Sequence, residues 1–116
     1  MSAQDIHDFL VKFKQAATSG SGVDLVPRIE TRTTLAQLGL TKANLEALLL
    51  NLSVVDYCNG PEPDYDRPGE VVWMFGTRIQ GKEICIKLKV GQVGKQKIAK
   101  CISFHIAQFP LKYPHR

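Results

Sequence analysis

The sequence predicts an α+β domain in which N-terminal helices cover one face of a small antiparallel β-sheet, and three observations carry that prediction. Apolar residues recur with a helical period up to about residue 56 and with a period of two from Val71 onward. Between the two regimes lies Gly60–Glu70, whose three prolines and two glycines predict a loop. Charge divides at the same place: residues 71–116 hold nine Lys/Arg and one acid, Glu83, whereas residues 1–70 hold six Lys/Arg and ten Asp/Glu. At 116 residues and 44% hydrophobic, the chain is expected to form one domain with one core. That domain reads as a helical part (1–56), an acidic loop (57–70) and a basic sheet with its tail (71–116).

Taken in order, Ile6, Phe9, Leu10 and Phe13 fall at i, i+3, i+4 and i+7 of a helix over Asp5–Ala17, with Ser2 and Asp5 spaced as a capping box. Ser19-Gly20-Ser21-Gly22 ends it. Val23–Ile29 suits an edge strand, because Pro27 has no N–H for a central ladder. A short helix around Leu35–Leu38 stops at Gly39 in a left-handed cap. Thr41 caps the next helix, whose Leu45, Leu48, Leu49 and Leu52 repeat the same stripe.

Beyond the loop, Val71–Phe75 leads to Gln80-Gly81 and then to Glu83–Val90, which alternates strictly. A two-residue turn at Gln80-Gly81 pairs Ile79 with Lys82, and so Trp73 with Leu88, Phe75 with Ile86 and Thr77 with Ile84. After Gly91–Gly94, a third strand Lys97–Ile106 places Ile98, Ile102, Phe104 and Ile106 on the core face, with Lys100 as its one polar intruder. The opposite face then carries Met74, Arg78, Glu83, Cys85, Lys87, Lys89, Lys97, Ala99, Cys101, Ser103 and His105. No segment is assigned to cover it, and the proline-containing tail Phe109–Arg116 is expected at the sheet edge, with His115 disordered.

Several classes of function are excluded. No P-loop, dinucleotide fingerprint, H-E-x-x-H or G-x-S-x-G occurs, so no cofactor is expected. The three histidines lack metal-ligand spacing, and Cys58, Cys85 and Cys101 form no C-x-x-C pair, which predicts reduced thiols and no zinc site. Asp64, Asp66 and Glu70 read as turn and ion-pair residues rather than a metal site. With no apolar run long enough for a membrane span and no signal-peptide pattern, a cytoplasmic protein without membrane contact is expected.

A one-sided basic surface concentrates polyanions, nucleic-acid phosphate above all. His105 is the titratable group on it. Cutting RNA without a metal requires a base for the 2′-hydroxyl, an acid for the leaving 5′-oxygen and cations for the charge on phosphorus. His105 suits the proton-transfer role. Lys87 and Arg78 suit the phosphate, and Tyr113, Tyr57 or a lysine the remaining proton. Lys89, Lys97, Lys112, Tyr113 and Arg67 are candidate RNA contacts, with Arg67 or Tyr65 brought in if the acidic loop folds over the mouth of the face.

Leu38-Gly39-Leu40, the leucine helix, Asp56-Tyr57, the Trp73 strand, Gly81–Leu88, Ser103-Phe104-His105, the Gly60–Glu70 loop and the ending Phe109–Pro114 together resemble the MqsR family of type II toxin–antitoxin toxins, over roughly residues 30–116. The resemblance implies a RelE-like ribonuclease fold, metal-independent cleavage of mRNA and neutralisation by a cognate antitoxin protein. Where the best-known member of that family has its proposed catalytic set of two lysines, a glutamine and a tyrosine, this chain aligns Asn59, Met74, Cys85 and His105, while Lys87 matches a lysine on the same strand. The reading adopted is therefore an endoribonuclease toxin. Two others use the same face: a non-catalytic RNA-binding or ribosome-associated module, and a module that docks an acidic protein.

Overall fold

Ser2 opens the first element: its hydroxyl accepts a hydrogen bond from the Asp5 amide at 3.1 Å and caps helix α1, Ala3–Thr18. The computed structural model describes residues 1–20 and 22–116, so Ser21 of the predicted helix terminator lies outside the described residues. Then follow β1 (Asp24–Leu25), α2 (Ile29–Leu38), α3 (Lys42–Leu50), a 3-10 turn (Val54–Asp56), β2 (Tyr57–Pro63), β3 (Val71–Ile79), β4 (Lys82–Val93) and β5 (Gln96–Ile106). The class is α+β, with the helices preceding most of the sheet in the chain. No described helix is long and apolar enough to cross a membrane.

Helix α1 buries Ile6, Phe9, Leu10 and Phe13, the predicted stripe. Helix α2 is longer than its apolar residues suggested, because its buried positions are Thr31, Thr34 and Leu38. Threonine hides a helical stripe from a hydrophobicity reading, yet Thr31 is fully used: its hydroxyl accepts from the Phe104 amide at 3.2 Å, tying α2 to β5. Gly39 ends α2 at φ 68°, a left-handed conformation in which a side chain would be strained. Thr41 and Asn44 form a reciprocal capping box at the start of α3, which buries Leu45 and Leu49.

The sheet has the order β1-β5-β4-β3-β2. It is mixed rather than purely antiparallel, since β1 runs parallel to β5, pairing Asp24 with Lys100 and Leu25 with Cys101. The predicted edge strand shrinks to these two residues. At the other edge, Tyr57–Pro63 pairs with β3 and is a strand, which corrects the expected loop. Prolines are tolerated there because an edge strand needs only one side of its ladder and this one is irregular, with register shifts on either side of Asn59. The β3–β4 hairpin has the predicted register, Trp73 opposite Leu88 and Phe75 opposite Ile86, around Gln80 and Gly81 at φ 53° and 76°. Both residues being left-handed matches the twist of a tight hairpin. Strands β4 and β5 extend past the predicted glycine loop, leaving only Gly94 and Lys95 as the turn.

One irregularity decides which residues share a face. Lys87 pairs with Ser103, but the next β4 residue, Leu88, pairs with Cys101, so Ile102 is the extra residue of a bulge in β5. Below it, Phe104 faces the core and His105 the other side, as predicted. Beyond it, the parity inverts: Ala99 and Cys101 are completely buried in the core, and Lys100 rather than Lys97 lies with Lys89. The core between helices and sheet centres on Phe13, Phe75 and Phe104, none of which reaches solvent, and on Phe9 stacked against Trp73 at 4.7 Å. Burying each such ring contributes about 2–3 kcal/mol.

Candidate functional site

The sheet face away from the helices is covered from both ends, which leaves a restricted site in its middle. From one side comes the C-terminal tail. The Leu111 amide donates to Glu83 Oε1 at 2.8 Å, and the Tyr113 hydroxyl donates to Glu83 Oε2 at 3.2 Å. Leu111 and Tyr113 lie directly over Gly76, where an added Cβ would come within 2.5 Å of the Tyr113 oxygen. The Arg116 guanidinium stacks 3.7 Å above the Tyr113 ring and reaches Asp56 Oδ1 at 3.4 Å. His115 is not disordered: its Nε2 lies 2.9 Å from the Met1 carbonyl oxygen, and its ring meets Tyr57 edge-on. The tail is thus a strap across the sheet rather than an edge ornament.

From the other side comes the segment between β2 and β3. Asp64 Oδ2 and Glu70 Oε1 close on Lys89 Nζ at 2.5 and 3.0 Å, and the lysine side chain is only 4% exposed. Burial alone would push the Lys89 ammonium down, but the hydrogen bonds it donates to Asp64 and Glu70 more than offset this and its pKa is raised. The hydrogen bond from Lys89 holds the Asp64 carboxyl below its ordinary value. Lys89 is therefore the anchor of the loop, buried in its ion pairs, which corrects the expectation that its charge faces solvent. Its partners were visible in sequence only as local turn acids.

Between strap and loop a pocket of about 420 Å³ remains, with Met74, Cys58, Cys85 and His105 in its wall and Lys87 and Lys112 among its lining residues. Half-buried His105 sits cross-strand from Cys85, beside exposed Lys87. His105 Nδ1 lies 3.0 Å from the Ile106 carbonyl oxygen. A carbonyl only accepts, so in the neutral ring the proton sits on Nδ1 and Nε2 keeps a lone pair for proton transfer. Lys87 and Met74 also border a second hollow of about 300 Å³ on the loop side, where Asp64, Asp66 and Glu62 make the lining acidic. Exposed Phe109 adds an aromatic rim on the tail side.

Two of the three thiols, those of Cys58 and Cys85, belong to this wall. Burial pushes Cys58 up to about 12, with Cys85 and Glu83 adding to the rise, and it raises Cys85 despite the opposing charge of Lys87. Cys101, which parity alone put on the open face, is in the core with its thiol likewise pushed up to about 12 by burial. All three cysteines are free.

Of the predicted site residues, the structure brings together His105, Lys87 and Lys112. Arg78 is exposed near the hairpin end and does not line the pocket; its register partner Glu83 is engaged by the tail instead. Arg67 is exposed on the loop and lines neither hollow, whereas Tyr65 borders the loop-side one. Lys97 is carried by the bulge to the helix side, where it lies among Phe9, Lys12 and Trp73. Tyr113 clamps the strap, and its hydroxyl is pushed up to about 12 by burial and by Glu83. Tyr57 is a core residue whose hydroxyl donates to the Gly60 carbonyl at 2.6 Å. Neither tyrosine is free to give a proton. Cys58 and Phe109 were missed, the first because its segment read as a loop and the second because the tail was assigned to the edge. Among the described residues, no three His, Cys, Asp or Glu side chains converge as metal ligands.

Fold and pocket define a small α+β domain with a half-covered sheet face and a histidine–lysine pocket at its centre. Compared with protein-family models, curated proteins and solved structures, the chain matches none.

Proposed function

We propose that the chain is the toxin of a type II toxin–antitoxin system, an endoribonuclease that cuts mRNA in the cytoplasm by acid–base chemistry and is held in check by a partner antitoxin protein. The observation that carries this reading is the placement of His105, with Nε2 free, beside Lys87 and in one pocket with Lys112. His105 Nε2 takes the 2′-hydroxyl proton, and the 2′-oxygen attacks phosphorus. The bond to the 5′-oxygen then breaks, leaving a 2′,3′-cyclic phosphate and a 5′-hydroxyl. Lys87 and Lys112 balance the charge on phosphorus, and one of their ammonium groups supplies the proton to the departing oxygen. The resemblance to the MqsR family supports the substrate class and the antitoxin. Expression of the chain alone is expected to arrest growth and deplete mRNA, with His105→Ala and Lys87→Ala harmless; unimpaired growth with stable mRNA contradicts the proposal.

A second reading, an RNA-binding module that does not cut, draws on one specific observation. The hydroxyls of Tyr113 and Tyr57 are tied to Glu83 and Gly60, so neither tyrosine is placed to serve as the second proton donor. Salt-sensitive RNA binding without cleavage products selects it.

A further inference from the structure

The parity change that removes Lys97 from the open face places it in a second basic cluster on the helix side. Lys12 of α1 and Lys95 and Lys97 from the β4–β5 hairpin line a cleft of about 660 Å³, together with the polar Gln15, Ser19 and Gln96. No acidic side chain lines it, and among the described residues none of these three lysines takes part in an ion pair. Lys12 and Lys97 also border an adjoining hollow of about 220 Å³ whose other walls include Phe9, Val71, Trp73 and Val90. Two exposed lysines thus join a basic cleft to a hollow that borders the core rings of Phe9 and Trp73.

We propose that this pair of hollows is a nucleotide site, with phosphate in the lysine cleft and the base in the adjoining hollow, against its apolar wall of Val71, Val90 and the exposed margins of Phe9 and Trp73. An anion alone has no use for that apolar wall, and an apolar ligand alone has none for three unpaired ammonium groups. A nucleotide supplies both groups covalently linked, and lysine–phosphate bonds beside aromatic contacts are the usual means of holding one. The nucleotide is free, or belongs to a single-stranded RNA lying along the helix side. The site lies across the sheet from His105 and does not depend on whether the open-face pocket cuts RNA.

Trp73 is the one tryptophan of the chain and is part of that wall, so its fluorescence reports binding directly. AMP, a hexamer of riboadenylate and inorganic phosphate are titrated into His105→Ala protein, which keeps the RNA from being cut at the open face. A saturable change in Trp73 emission with AMP or hexamer is expected, competed by phosphate and weakened about tenfold or more by Lys12→Ala/Lys97→Ala. Circular dichroism on that variant, altered only at exposed side chains, reports its fold. Equal affinity for AMP and hexamer identifies a free nucleotide as ligand, and hexamer-selective, salt-steep binding identifies a strand. No saturable change with either ligand overturns the proposal, as does unaltered affinity in the double variant.

Discussion

Asp64 Oδ2 lies 2.5 Å from Lys89 Nζ, and this contact fixes the segment between β2 and β3 against the sheet at the edge of the candidate site. Replacing the acid leaves a buried ammonium with Glu70 alone, so Asp64→Asn is expected to cost about 1–3 kcal/mol, read as a lowered midpoint in urea unfolding. Because the folded-state pKa of Asp64 is depressed, its contribution is present above the unfolded value of 3.8 and is lost as pH falls through the lower folded value. Wild type therefore loses stability relative to Asp64→Asn on acidification in that range. Parallel stability profiles from pH 6 down to 2 contradict the assignment.

Gly76 has room for no side chain, because Leu111 and Tyr113 occupy that space. Gly76→Ala is expected to lift the strap, lowering stability by about 1–3 kcal/mol and exposing the C-terminus to limited proteolysis. A variant as protease-resistant as wild type shows that the tail does not need that contact. Tyr113→Phe, which keeps the ring over the sheet and removes only the bond to Glu83, is expected to lose less, about 1 kcal/mol.

Lys87 and Lys97 separate the two sides of the sheet in function as in space. Lys87→Ala is expected to slow RNA cleavage about 10²-fold, the usual effect of losing one donor to a developing phosphorane charge, with Lys97→Ala cleaving at the wild-type rate. Single-turnover rates at saturating RNA make the comparison. Equal losses from both variants place Lys97 at the open face after all.

With its pKa near 12, Cys58 has about 10⁻⁴ of its thiol as thiolate at pH 8. Iodoacetamide at pH 8 is therefore expected to leave all three cysteines unmodified in folded protein and to alkylate them in urea, as counted by intact mass. Rapid labelling of Cys58 in the folded state contradicts the raised thiol pKa.

Much of this fold is legible in the sequence because most elements announce themselves by period. The α1 stripe, the caps at Ser2, Thr41 and Gly39, and the β3–β4 register all follow from apolar spacing and turn chemistry. Apolar spacing foreshortens helix α2 because threonines do its packing, and β2 reads as a loop because prolines obscure an irregular edge strand. The site was partly legible: His105 and Lys87 share a face by parity alone, since both lie on the near side of the bulge. Lys97 and Cys101 were misplaced because one extra residue, Ile102, inverts every side chain beyond it, and alternation carries no mark of where a bulge falls. Lys89 reads as an exposed cation because its partners lie 19 to 25 residues away, at Glu70 and Asp64, and meet it only through the fold.

If the His105 pocket transfers a proton to cut RNA, the chemistry is written in the ends of the fragments it leaves. End-labelled single-stranded RNA is incubated with purified protein in EDTA, and the products are analysed for their termini. Fragments ending in 2′,3′-cyclic phosphate, formed about 10²-fold or more slowly by His105→Ala, are expected. Intact RNA, or cleavage by His105→Ala at the wild-type rate, contradicts that proton transfer.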